Sequence, residues 1–231
     1  NKKLSIVTTI FPQYDFTKQI VGDKAEVIML LKPGSESHTY EPTPQDIKAI
    51  QSSDLFIYTG GENDNWIEGI IESMGDNAPA TMKLVDLVNT VEEEIVEGMQ
   101  HEHADNVEQD HAEEHEHQEK HDHEHMHEVD EHVWTSPINA ITIVEQITDV
   151  LSEKDPINVN FYSNNSAMYI EQLKNLDQQF EDVVDHAKRK IVLFGDRFPF
   201  RYFADEYGLD YYAAFTGCSE NTEASAATVA F

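Results

Sequence analysis

The 231-residue chain has a single cysteine, Cys218. It can therefore form no internal disulfide and cannot build a multi-cysteine zinc ribbon, and its cysteine usage leaves the redox compartment open. Basic residues are scarce: 15 Lys and Arg stand against 45 Asp and Glu, for a formal net charge of −30. That imbalance argues against nucleic acid or an anionic membrane surface as partners and favours cations. No apolar run is long enough to span a bilayer. No secretory signal is expected either, because the first residues lead almost directly into a strand, as in a mature secreted chain or in a cytoplasmic one. The length suffices for one large or two small domains with true cores.

What the chain has in excess is histidine in one place. Residues 92–132 hold ten of the twelve histidines, seventeen carboxylates and a single lysine, and the remaining 190 residues still carry −14. From His121 the order His121-Asp122-His123-Glu124-His125-Met126-His127 alternates, so in an extended chain every second imidazole faces the same side. Neutral imidazole and carboxylate suit zinc, copper and nickel, and the tract offers many partly equivalent pairs rather than one fixed cage. Loose, fast-exchanging metal binding is expected, with His115, His117, His121, His123, His125 and His127 as accessory ligands. Dense like charge and few apolar residues cannot form a core, so the tract reads as a disordered loop. His123 to His127 fits the metalloprotease pattern H-E-x-x-H, and His111 to His115 fits its inverse. Both are chance matches in a His- and Glu-rich stretch, since that chemistry needs a stable helix in a shaped cleft. Elsewhere there is no H-E-x-x-H, G-x-S-x-G or phosphate loop, so an enzyme is not expected.

Apolar patterning before the tract predicts strands at 4–10, 25–31, 55–59 and 82–87, with helices after 10, over 44–52 and over 66–74. Strand, helix, strand order implies parallel pairing with right-handed crossovers, hence an α/β layer fold. Thr43-Pro44-Gln45-Asp46 reads as an N-cap, a first-turn proline and an acid at the third position. After the tract, Ser136-Pro137 caps a helix ended by Pro156. A long helix over about 159–186 follows, about 40 Å in length and more than one small lobe needs. A second α/β unit then opens with strand 190–195, helix 199–207 and strand 210–215. Residues 225–231 look like the start of another helix, and the sequence stops with two strands of the second sheet in hand.

The loop His38-Thr39-Tyr40-Glu41-Pro42-Thr43-Pro44, the later His132-Val133-Trp134-Thr135-Ser136-Pro137 after an acidic His-rich insertion, the long helix and Tyr207-Gly208-Leu209 resemble the zinc-binding receptors of ABC importers, the ZnuA-like group. The resemblance runs from residue 4 to the end. It implies two α/β lobes joined by a long backbone helix: an N-terminal lobe of residues 1–91 and 132–153, the loop at 92–131, the linking helix at 154–187, and an incomplete C-terminal lobe at 188–231. It also implies a metal between the lobes, held by histidines and a carboxylate, with His38 and His132 as the two first-lobe histidines. Where the family places its third histidine this chain has Arg197, whose guanidinium cannot ligate a cation. Either Asp196 supplies an oxygen, or the site has only two histidines and fills with water or with another group; Asp196 could instead pair with Arg197. Cys218 falls in a loop the family turns toward the cleft; a thiolate there would bind zinc, but a lone cysteine is more often a small buried apolar residue. The family's final carboxylate would lie beyond Phe231.

Read on its own chemistry, His38 follows the C-terminal end of a parallel strand, the edge where open α/β sheets bind ligands. The resemblance implies a non-enzymatic, monomeric, extracytoplasmic receptor in a periplasm or at a cell surface. It would capture Zn2+ and deliver it to a membrane permease, with membrane contact only by way of a lipid anchor or that permease. Zinc tolerates distorted four-coordination by imidazole and carboxylate, whereas manganese prefers more oxygen ligands. Capture needs neutral imidazole and should weaken as pH falls through about 6.5. The alternative is a zinc buffer or chaperone in which the tract is the main binding element.

Overall fold

The computed structural model describes residues 2–35, 39–97, 99, 129–219 and 228. Four strands, β1 (Leu4–Thr8), β2 (Ala25–Met29), β3 (Leu55–Tyr58) and β4 (Ala80–Lys83), form one parallel sheet in the order β2-β1-β3-β4. Parallel strands buried on both faces need helices on each. One face, with Ile6, Leu55, Ile57 and Met82, packs against α1 (Phe11–Val21), α4 (Pro137–Lys154) and α5 (Val159–Asp185). The other, with Val7, Phe56 and Tyr58, is covered by α2 (Pro44–Ser52) and α3 (Asn65–Met74) through Ile50, Ile67 and Met74. The α/β expectation holds. The fourth strand lies two residues earlier than the apolar run suggested, because Leu84–Leu87 forms a 3-10 turn that drops Leu84 into the core.

The N-terminal signals of α2 act as read: Thr43 Oγ1 accepts from the Asp46 amide, and the Asp46 carboxylate accepts from Thr43. Helix α4 is capped by Ser136, whose hydroxyl accepts from the Asn139 amide. Helix α5 has 27 residues, about 40 Å at 1.5 Å per residue. Its first half is held on α1, where Asn165 donates to the Ile20 carbonyl at 3.0 Å and Tyr169 to Asp15 at 3.2 Å. Its second half meets α6 (Arg201–Tyr207): Phe180 stands edge-on to Phe203 at 4.9 Å, and Tyr207 donates to Asp177 at 2.8 Å.

The second sheet pairs β5 (Ile191–Phe198) with β6 (Asp210–Thr216), also parallel. β5 runs three residues past the expected end. The pairs Phe194 with Ala213 and Arg197 with Phe215 leave one extra residue on β5, a bulge at Gly195-Asp196. The expectation of a helix over 225–231 lies outside the described residues except at Thr228, as does the bulk of the His-rich tract.

Candidate metal centre

The C-terminal edge of the first sheet is built so that several chain segments converge there. Gln13, buried at the start of α1, accepts from the Ile10 amide and donates to Thr59 Oγ1 at 2.7 Å, which ties α1 to the end of β3. The chain leaving β2 is stitched to the same edge by the amides of Leu30 and Leu31, which donate to the carbonyls of Thr8 and Thr9. The loop that contains His38 therefore begins at this edge. His38 itself lies outside the described residues, as do His115, His117, His121, His123, His125 and His127.

After β3 the chain turns at Gly60 and Gly61, with φ of 88° and 93°. Gly61 is required by its neighbour as well as by its backbone, since a Cβ there would lie 2.4 Å from Glu131 Oε1. Glu131 belongs to the segment returning from the tract, Val129 to His132. His132 is 6% exposed. Its ring stands edge-on to Trp134 at 5.5 Å between centroids. On the side of the second sheet it meets Gly217, just after β6, where a Cβ would come within 3.1 Å of the imidazole. Thus His132 sits where the edge of the first sheet, the returning segment and the end of the second sheet come together.

Asp130 fixes this ring. Its Oδ1 accepts from the His132 amide at 2.8 Å and lies 2.9 Å from His132 Nδ1. A carboxylate can only accept, so the Nδ1 proton points to Asp130 and the ring lone pair falls on Nε2. This is the carboxylate–histidine arrangement that sets tautomer and orientation in metal sites. Asp130 lies inside a run of acids, and nothing in the local pattern distinguished it from the solvated carboxylates around it.

The surroundings are acidic and largely buried. Burial pushes the Glu93 carboxyl upward, opposed by the bond it accepts from the Cys218 amide at 2.8 Å. Burial also pushes the Cys218 thiol up, reinforced by the charges of Glu93, Glu131 and Asp130, so the thiol stays protonated at neutral pH in the metal-free chain. The small half-buried cysteine fits its packing role. Behind the glycine turn, Asp64 accepts from the Gly60 amide at 2.8 Å, and burial raises its carboxyl to about 6.

Asp196 sits in the bulge of β5, exposed, with its carboxylate accepting from the Arg197 amide at 2.8 Å. The expected strand ended one residue before it, at 195; the bulge keeps it inside β5. Bulges often re-aim side chains next to functional sites. Among the described residues no three His, Cys, Asp or Glu side chains are grouped to hold a metal ion. A cavity of about 610 Å3 between α4, α5 and the second sheet is lined, among the described residues, by apolar side chains such as Phe16, Leu173, Phe180, Phe194 and Phe203, with no ionisable group among them to hold a cation. Among the described residues no helix is long and apolar enough to cross a membrane.

The sequence pattern of the family described as zinc-uptake complex component A, periplasmic, matches residues 6–231. The zinc-binding lipoprotein AdcA of Streptococcus pneumoniae strain R6 is 36% identical over 229 residues, covering 99% of this chain and 42% of that protein. The high-affinity zinc uptake system protein ZnuA of Bacillus subtilis strain 168 is 38% identical over 228 residues, covering 99% of this chain and 66% of that protein. The chain thus spans less than half of one relative and about two thirds of the other. The crystal structure of the Zn(II)-bound ZnuA-like domain of Streptococcus pneumoniae AdcA superposes with a TM-score of 0.74 at 32% identity, covering 99% of this chain and 73% of that one. With a two-lobed parallel α/β architecture, a long helix in contact with both lobes and a match over nearly the whole sequence, the chain belongs to the zinc-uptake complex component A family, the ZnuA-like proteins.

Proposed function

We propose that the chain is the capture component of a zinc importer. It takes Zn2+ as cargo between its lobes, outside the cytoplasm, and delivers it to an ABC permease. The observation that carries this reading is His132: a buried imidazole at the junction of the two sheets, with Nδ1 tied to Asp130 and its lone pair directed to Nε2. His38 is proposed as the second imidazole, on a loop that leaves the same sheet edge. Asp196 is proposed as the carboxylate of the second lobe, its position in a bulge supporting that role. Two imidazoles and a carboxylate are a donor set that suits zinc in a distorted tetrahedron. The role needs no catalytic group. The histidines at 115, 117, 121, 123, 125 and 127 serve as an accessory collector.

Calorimetric zinc titration with chelator competition tests this on three proteins: the chain itself, the chain lacking residues 100–128, and the His38→Ala/His132→Ala variant. One tight site should survive the deletion and vanish in the double variant, while the deletion removes only weaker sites. Tight binding that is lost with the tract and kept in the double variant would establish the buffer reading instead.

A further inference from the structure

The two ends of the histidine-rich insertion are joined to each other before they diverge. Glu92 and Val129 form an antiparallel bridge, and the Asp130 amide donates to the Val91 carbonyl at 3.0 Å. A single side chain of the second lobe closes this neck. Tyr202, on α6 and 4% exposed, donates its hydroxyl to the Asp130 carbonyl at 2.6 Å and accepts from the Val91 amide at 3.3 Å. The outgoing arm beyond the neck also lies on the second lobe. Glu93 accepts from the Cys218 amide, Glu94 pairs with Arg201 at 3.4 Å and accepts from Tyr211, and Val96 and Met99 pack with Phe198 and Tyr211. The returning arm carries Asp130 and then His132.

We propose that Tyr202 is a positioning residue for His132, acting through the paired ends of the insertion and Asp130. The inference rests on the reading of His132 as a zinc ligand. The phenol fixes the backbone of Asp130, and the carboxylate of Asp130 fixes both the amide and the ring of His132. Withdrawing α6, as lobe opening would do, pulls on the same carbonyl that holds this carboxylate in place. Ligand geometry is thereby tied to the position of the second lobe through this hydroxyl, beside the contact of the His132 ring with Gly217.

The test compares Tyr202→Phe, Asp130→Ala, Asp130→Asn and His132→Ala in the full chain. Zinc affinity of the tight site is measured by chelator competition, and the His132 ring tautomer by its 15N shifts, identified by difference from His132→Ala. Tyr202→Phe retains the packed ring and removes only the two hydroxyl bonds; circular dichroism checks that each variant is folded. Asp130→Ala should weaken the tight site by about 10- to 100-fold, the range typical of lost outer-shell partners, and should mix the two ring tautomers. Asp130→Asn, which keeps an oxygen acceptor, should recover most of the affinity. Tyr202→Phe should weaken the site severalfold with unchanged stoichiometry. Wild-type affinity and tautomer in Tyr202→Phe, with the tight site lost in His132→Ala, would overturn the positioning role of Tyr202 and leave the ligand reading intact, whatever Asp130→Ala does. A tight site that persists in His132→Ala would overturn the ligand reading itself.

Discussion

Replacing Gly61 with alanine tests how the sheet edge holds the segment that carries His132. Gly61 has φ 93° and ψ −169°, a region open essentially to glycine alone, and forcing alanine into it costs about 1–3 kcal/mol. The new methyl would also lie 2.4 Å from Glu131 Oε1 and 2.5 Å from its Cγ, while Glu131 is only 6% exposed and has little room to swing away. Overpacking of this kind adds about 1–3 kcal/mol. A total loss on the order of 3 kcal/mol is expected, along with weaker zinc binding, because Glu131 is bonded in sequence to His132. Gly69, exposed in α3 with nothing within 4 Å of an added methyl, is the control. There alanine relieves the entropic cost of a helical glycine and should stabilise by roughly 0.5–1 kcal/mol. Denaturant unfolding of the metal-free proteins measures both. If Gly61→Ala unfolds at the wild-type midpoint, the account of this edge is wrong.

Asp64 makes stability depend on pH with a definite sign. Its folded-state carboxyl titrates at about 6 because of burial, above the unfolded value near 3.9, so its contribution is greatest in acid and is lost as pH rises from about 4 to 6. At about 1.4 kcal/mol per pKa step the loss is on the order of 3 kcal/mol, and the stability difference between wild type and Asp64→Asn should shift in favour of the variant across that interval; a flat difference would remove the assignment. Ile143 is fully buried between α4 and the first sheet, and Ile143→Ala should cost about 2–5 kcal/mol in denaturant unfolding.

Much of the first lobe was legible because its signals are local. Val7, Phe56 and Ile57 belong to short β-branched and aromatic runs bounded by turns, and Thr43-Pro44 and Ser136-Pro137 mark helix starts by the chemistry of the caps themselves. Boundaries failed where tertiary contacts override local pattern. Leu84 continues an apolar run, yet the core takes it from a 3-10 turn. β5 extends through Gly195-Asp196 because a bulge lets a glycine and an exposed acid remain within a strand. The candidate site divides the same way. His132 was marked by the motif around it, whereas Asp130, Glu93 and Tyr202 acquire their roles from contacts between residues up to 125 positions apart. No local pattern encodes those contacts.

The attachment of the insertion bears on what an accessory collector can do. Its neck closes at Glu92 and Val129, three residues before His132. On the proposed function, metal held on a segment tethered this near the site meets it at an effective concentration on the order of millimolar, far above free zinc under scarcity. The net charge of −30 adds little at distance, since screening limits it to about 8 Å at physiological salt. Tethering raises the rate of loading but leaves the intrinsic affinity of the site unchanged, because each metal ion can also return. On the proposed function, then, the insertion and the site divide the work by kind. The histidines of the tract govern how fast zinc arrives, and the buried, Asp130-fixed imidazole governs how long it stays.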